Sequence, residues 1–330
     1  VEGANILTRS MIIFGQGALR CHPWVLKEFA AAEVADKPSS LIAFDQALFG
    51  HIGFLVSNMA RSLFLGLSRG RLSSSPAEGP ARRYFQQLNW MSSAFALSAD
   101  AAMMTLGGAL KRKERLSARL GDVLSEMYIT SAVLKQYMDD EQPQEDWPLV
   151  HWACEQSLYR MQESLRLLLR NLPSKPLSWL LRVLLFPSGY PYTEPDDRMG
   201  KAAARILLRP SAARDRLTQG IFISGDDQFR QGVIEQAFLQ AAKVAPLEQT
   251  LRRTHRAGLI ESRNLMQQAR EALEQSLISE QEFAELEKMN ILRRRVISVD
   301  SFDDYGKQYV MEAGPNSFAQ TPNRSGAKPG

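Results

Sequence analysis

Apolar residues return every three or four positions along almost the whole chain, while stretches of alternating polarity are nearly absent. One stripe runs through Leu41, Phe44, Leu48, Ile52, Leu55, Met59 and Leu63; another through Tyr84, Leu88, Met91, Phe95, Ala102, Leu106 and Ala109. A 3.6-residue period belongs to amphipathic helices that bury one face. Further runs from Leu116 to Leu134 and from Leu149 to Leu172 complete a set of long helices with mostly short connections. The pattern predicts an all-α fold built on an antiparallel helical bundle.

Around that bundle the punctuation is read from caps and breakers. Leu7, Met11, Phe14 and Ala18 share one face of a first helix for which Asn5 is a suitable N-cap. A second opens with Pro23 and ends before Asp36-Lys37-Pro38, because a proline disfavours helix in the residue before it. Gly66 to Pro80 reads as a surface connection, and Gly107-Gly108 with the charged run that follows as either a turn or a kinked continuation. Asp139 to Trp147 reads as an acidic loop, and Pro187 to Pro195 as an irregular surface segment. Shorter helices are expected near Asp197 to Leu208, Gln228 to Thr254, Gly258 to Leu277 and Glu280 to Ile297. The last begins at a capping box, Ser279 with Glu282. These signals divide the chain into 1–35, a bundle over 36–186, a further helical region over 187–313 and a loose polar tail over 314–330.

Charge and cysteine use exclude several classes. The net charge of +4 is too small for the length to be a nucleic-acid footprint. Two cysteines, Cys21 and Cys154, exclude a disulfide scaffold and suit a reducing compartment, so a cytoplasmic location is expected. Asn58 and Arg61 interrupt the apolar run from Leu41 to Leu67, so no membrane span is expected. The segment Leu177 to Phe186, with Trp179, Lys175 and Arg182, leaves peripheral adsorption at the inner face of the cell membrane open, although a buried core helix carries more weight. The chain starts at Val1 without a signal-like segment, and is read as the downstream part of something longer.

Candidate chemistry is sparse. His22, His51, His151 and His255 are scattered without metal-ligand spacing, so no metal site is expected. Gly15-Gln16-Gly17 sits in a helical pattern and not after a strand, which argues against a phosphate loop. Cys21 and His22 are neighbours whose side chains diverge. The basic run Lys111 to Arg119 reads as a solvated helix end. Glu2 stands out by position: Gly3 follows it, then Asn5 and a helix. Taken blind, an acid there compensates the positive end of the helix dipole.

The opening stretch Val1-Glu2-Gly3-Ala4-Asn5-Ile6-Leu7-Thr8-Arg9-Ser10-Met11-Ile12-Ile13-Phe14-Gly15-Gln16-Gly17-Ala18 resembles the catalytic-base region of acyl-CoA dehydrogenases, whose shared core is a Glu-Gly-Thr-Asn-like turn leading into a helix. More closely it is similar to the bacterial FadE type, which acts on long-chain substrates in fatty-acid β-oxidation. The likeness continues through Arg20-Cys21-His22-Pro23, Asn89 to Asp100, Gly107 to Asp122 and Pro148-Leu149-Val150-His151-Trp152, thins after Pro195, and returns at Ile297 to Asp303.

The resemblance implies an FAD enzyme that desaturates a fatty acyl-CoA between Cα and Cβ. In it the acid matching Glu2 removes the α-proton while a hydride passes to the flavin. It also implies that Gly3 lets backbone approach the thioester, that Asn5 lies near the cofactor, and that most flavin contacts lie upstream of the Glu-Gly turn. Ala4 departs from the family, where many members place a Thr whose hydroxyl helps hold the flavin. The implied partners are the acyl-CoA substrate, an electron-transfer flavoprotein as acceptor, and a second copy in a homodimer. The long continuation after the base resembles the appended helical domain of larger members, which is associated with dimer and membrane contacts.

Overall fold

The computed structural model describes residues 3–4, 8, 17–224 and 229–299. It divides into two compact units, Val1–Leu217 and Thr218–Gly330. In the first, α1 (Gly17–Cys21), α2 (Val25–Ala32), α3 (Lys37–Leu67), α4 (Ala81–Leu106), α5 (Glu114–Asp139), α6 (Trp147–Asn171), α7 (Lys175–Leu185) and α8 (Asp197–Leu207) follow one another. A short α9 (Ala212–Thr218) ends at the division. The second unit holds α10 (Arg230–Arg256), α11 (Leu265–Glu274) and α12 (Glu280–Ile297). Among the described residues there is no strand, and the fold is all-α as the periodicity requires.

Helices α4, α5 and α6 make the core of the first unit. Cys154, Leu158, Met161, Leu165 and Leu168 line one face of α6 at steps of three and four, all fully buried. They meet Trp90, Met91, Leu120 and Leu134 from α4 and α5. The Trp90 indole N–H donates to the Leu185 carbonyl at 3.1 Å, which gives a buried donor its partner and ties α4 to the end of α7. The segment after α7 is irregular and mostly at the surface, as expected, but it is pinned at one buried residue. Tyr192 is buried, and its backbone N–H and C=O pair with the Gln162 side chain at 2.9 and 2.8 Å. The first compact unit accordingly runs past the Phe186–Pro187 division to Leu217.

Local chemistry explains most helix ends. Asp36, Ser174, Asp196, Asn264 and Ser279 accept first-turn backbone N–H groups, and Ser279 with Glu282 forms the reciprocal capping box. The α3–α4 connection turns at Gly70, where φ is +82° and a Cβ would stand 2.5 Å from the Gln86 carbonyl oxygen, so only glycine fits. Gly107-Gly108 is a kink: a 3-10 turn over Gly107–Arg112 leads into α5, pinned by the Ser117 hydroxyl donating to the Leu110 carbonyl at 2.8 Å. The helix expected from Gly258 starts later. Gly258 instead closes α10 with φ +75°, and α11 waits for its Asn264 cap.

The largest departure is α3. Its stripe packs only in part: Leu41, Leu48 and Ile52 are exposed, Leu55 and Met59 lie half-buried against the core, and the most buried positions are Ala47, Asn58, Ser62, Leu65 and Gly66. Two helices, Lys37–Leu67 and Ala81–Leu110, are also long and apolar enough to cross a membrane, with mean hydropathy 1.3 and 1.2, contrary to the expectation from Asn58 and Arg61. For the second this is the apolarity of a core helix, half of whose most apolar window is buried.

Candidate functional site

Glu2 and Asn5 lie outside the described residues. Gly3 and Ala4 are helical and exposed, and no atom stands within 4 Å of where a Gly3 Cβ would be. Nothing described in this chain therefore requires glycine at that position.

After α1 the chain is held at His22. Its Nδ1 accepts the backbone N–H groups of Trp24 and Val25, at 3.2 and 3.1 Å, and so caps the start of α2. An imidazole nitrogen that accepts two donors carries no proton, which places the proton on Nε2. Nε2–H then donates to Asp100 Oδ1 on α4 at 2.9 Å. Beside it, His51 on α3 uses Nδ1–H to donate to Glu28 Oε1 on α2 at 2.8 Å, with its Nε2 4.0 Å from Asp100 Oδ1. The two imidazoles lie with ring centroids 4.7 Å apart, and Phe54 meets His22 edge-on at 5.4 Å. A few residues along α3, Gly50 leaves room for the Trp24 ring, which a Cβ there would strike at 2.4 Å. Together with the Ser40 hydroxyl donating to the Ala31 carbonyl at 2.8 Å, these contacts seat α2 on α3.

Burial sets the electrostatics. Asp100 is 1% exposed, and loss of water raises its carboxyl above the ordinary carboxylate value although both histidines pull the other way. The His22 imidazole is pushed down by the same loss of water and stays neutral, as its capping role demands. Asp100 Oδ2 and His51 Nε2 are both buried without a hydrogen-bond partner among the described residues.

The structure thus corrects the scattered reading of the histidines: His22 and His51 meet, and with Asp100 they place three ligand atoms within 4.8 Å of one another. As built they are not a metal site. His22 Nε2 holds a proton, which leaves one imidazole and one carboxylate, fewer than the three protein ligands of an open zinc centre. Cys21 is exposed and its neighbour His22 is fully committed elsewhere, so the pair is no nucleophile and base. A second cluster ties α4 to α6: the Tyr84 hydroxyl donates to Glu155 at 2.7 Å and accepts from His151, whose ring stacks on Trp147. Burial raises the Tyr84 hydroxyl far above its ordinary value, so it remains a hydrogen-bond donor.

Three open surface clefts of about 410, 600 and 510 Å³ are present among the described residues. None is lined by Gly3, Thr8 or His22; the first is a shallow site where Arg166, Arg170 and Arg182 surround Trp179 and Tyr190. These three clefts offer no flavin site at the described residues Gly3 and Thr8.

Residues 19–302 match the family described as acyl-CoA dehydrogenase, C-terminal, bacterial type. The chain belongs to this family. No solved structure matches it. In this acyl-CoA dehydrogenase C-terminal region, His22, His51 and Asp100 fall inside the matched residues, while Glu2, Gly3 and Asn5 precede them. The cluster left one trace in the sequence. Asp100 is the only charged residue between Phe85 and Thr105, in a stretch rich in Ala and Ser, and a lone acid in such a helix needs a partner.

Proposed function

We propose that the chain is the C-terminal part of an FAD-dependent acyl-CoA dehydrogenase of fatty-acid β-oxidation, of the FadE type, which converts medium- or long-chain acyl-CoA to trans-2-enoyl-CoA. The observation that carries the reading is the family match over 19–302 directly behind the Glu2-Gly3-Ala4-Asn5 sequence. In this reading Glu2 takes the α-proton. A carboxylate suits the task because burial in an apolar pocket raises its pKa toward a useful basicity. Gly3 keeps the backbone bare where the thioester approaches, and Asn5 faces the cofactor. FAD supplies the hydride acceptor and belongs to the flavin-binding part, with an electron-transfer flavoprotein taking the electrons onward. The enzyme works as a homodimer in the cytoplasm.

The test is Glu2→Gln in the enzyme that joins this chain to its flavin-binding part. Turnover of a saturated acyl-CoA should be abolished with flavin still bound; retained turnover sinks the assignment.

A second reading, an interaction module that docks to a second copy or to the membrane surface, is favoured by two observations. Helix α3 exposes Leu41, Ile42, Phe49, Val56, Phe64 and Leu67 along its length, and α7 exposes Trp179 beside Arg182. Sedimentation and flotation with anionic vesicles address it, and a monomer indifferent to those vesicles counts against it.

A further inference from the structure

We propose that the cleft where α6 meets α7 binds a phosphate ester, with Arg170 and Arg182 holding the phosphate and Trp179 carrying the apolar or aromatic arm of the ester. The proposal goes beyond the acyl-CoA dehydrogenase reading and does not depend on Glu2. Helix spacing builds the cleft. Residues three and four apart share a face, so α6 presents Arg166 beside Arg170, and α7 presents Lys175, Trp179 and Arg182. The opening between the two helices measures about 410 Å³ and has Tyr190 in its wall.

Three guanidiniums line this cleft and no carboxylate does. Glu163 binds Arg166 through both oxygens, at 2.6 to 3.0 Å to Nε and Nη2, which fixes the guanidinium plane and leaves Nη1 uncommitted. Arg170 and Arg182 have no acid partner among the described residues. The Arg182 guanidinium lies over the Tyr190 ring, 5.9 Å from its centroid, an arrangement that orients the charge without neutralising it. Lys175 Nζ donates to the Arg170 carbonyl at 3.1 Å and offsets the negative end of α6, so the helix field does not supply the missing negative charge either. Like charges on successive turns repel, and an anion in the cleft would relieve that repulsion.

The residue types select the anion. Guanidinium forks match phosphate oxygens two at a time, and forks arriving from two helices suit an anion with three or more oxygens. Trp179 is 66% exposed beside them and offers a flat apolar face to whatever the phosphate carries, and the exposed Leu180 and Val183 extend that face outward. Two sources share this chemistry. A small soluble ester would lay its ring on Trp179, whereas a phospholipid would place its headgroup in the cleft and its acyl boundary against Trp179, Leu180 and Val183.

The experiment titrates the full chain with adenosine 5′-phosphate by calorimetry, and floats it with phosphatidylcholine vesicles with and without phosphatidylglycerol. Binding of the nucleotide identifies the soluble source, and binding of the phosphatidylglycerol vesicles alone identifies the lipid. Arg170→Gln combined with Arg182→Gln should weaken that binding about tenfold or more, because charge-assisted hydrogen bonds are lost. Trp179→Ala should weaken it about fivefold or more. Arg112→Gln combined with Arg115→Gln removes the same charge at the start of α5 and must leave it within about twofold. All five side chains are exposed, so these variants keep the fold. A parent that binds neither probe overturns the proposal, and so does binding that survives the loss of Arg170 and Arg182 or falls equally in the Arg112 and Arg115 control. Vesicle binding that survives leaves the docking reading standing without this site, and none of these outcomes bears on Glu2→Gln.

Discussion

Helices α3 and α6 are both long and both striped with apolar residues, but α6 buries its stripe completely and α3 only in part. In α6 the stripe is the core: Cys154, Leu158, Met161, Leu165 and Leu168 are lost to solvent entirely. In α3 small and polar residues share the packed face with Leu55, Met59 and Leu65, and several large apolar residues face out, with Phe49 69% exposed and Phe64 60%. Asn58 and Ser62 are buried on the packed face with side-chain atoms that lack partners, and His51 uses that face to reach Glu28 and Asp100. Periodicity establishes that a segment is helical but not which face its neighbours take. Where the neighbour is Trp24 over a bare Gly50 or a buried carboxylate at Asp100, a small and polar face wins. The apolar face is then left as a surface of the kind that contacts other molecules.

The comparison breaks or sharpens in a few measurements. Leu158→Ala should cost about 2–5 kcal/mol, since it opens a cavity in the most completely buried face of the chain; denaturant unfolding of the chain reads it directly. His22→Phe should cost about 1–3 kcal/mol, the cost of leaving the buried Asp100 oxygens without a donor. The same site gives a pH dependence with a definite sign. The folded His22 pKa lies below the ordinary 6.5, so the unfolded chain takes the proton first. His22 therefore contributes stability above pH 6.5 that is lost as pH falls from there toward the folded value. Asp100, raised above 3.8, acts oppositely at lower pH: its burial penalty is relieved as pH falls through its folded pKa. Unfolding free energies between pH 7 and 5 should thus decline in the parent and flatten in His22→Phe. The smallest effect belongs to the exposed face of α3, where Phe49→Ser should change the stability of the chain by no more than about 0.5 kcal/mol. If it costs as much as Leu158→Ala, the Phe49 face of α3 is not an unpacked one.

Much of the architecture was legible because local chemistry and pattern agree. The Ser279–Glu282 box starts α12 where it is read, the second helix ends before Asp36-Lys37-Pro38, and the run Leu149 to Leu172 is helix α6. The misses share a cause, which is long-range pairing. Tyr192 looked like part of a surface loop because its partner Gln162 lies 30 positions away, and His22 looked solitary because Asp100 is 78 positions on. Hydrogen bonds of that span leave no periodic trace. The base region carried its signal in residue identity, Glu2 before Gly3, and not in spacing, so only the likeness to acyl-CoA dehydrogenases made it readable.

The central claim is that Glu2 is the base of an enzyme whose C-terminal region is this chain. Exchange of the α-hydrogen of a bound saturated acyl-CoA with deuterated water, followed by mass spectrometry in the joined enzyme, tests it most directly, because exchange needs the base and no net turnover. The account predicts ready exchange in the parent and none above background in flavin-loaded Glu2→Gln. Equal exchange in the two would contradict it.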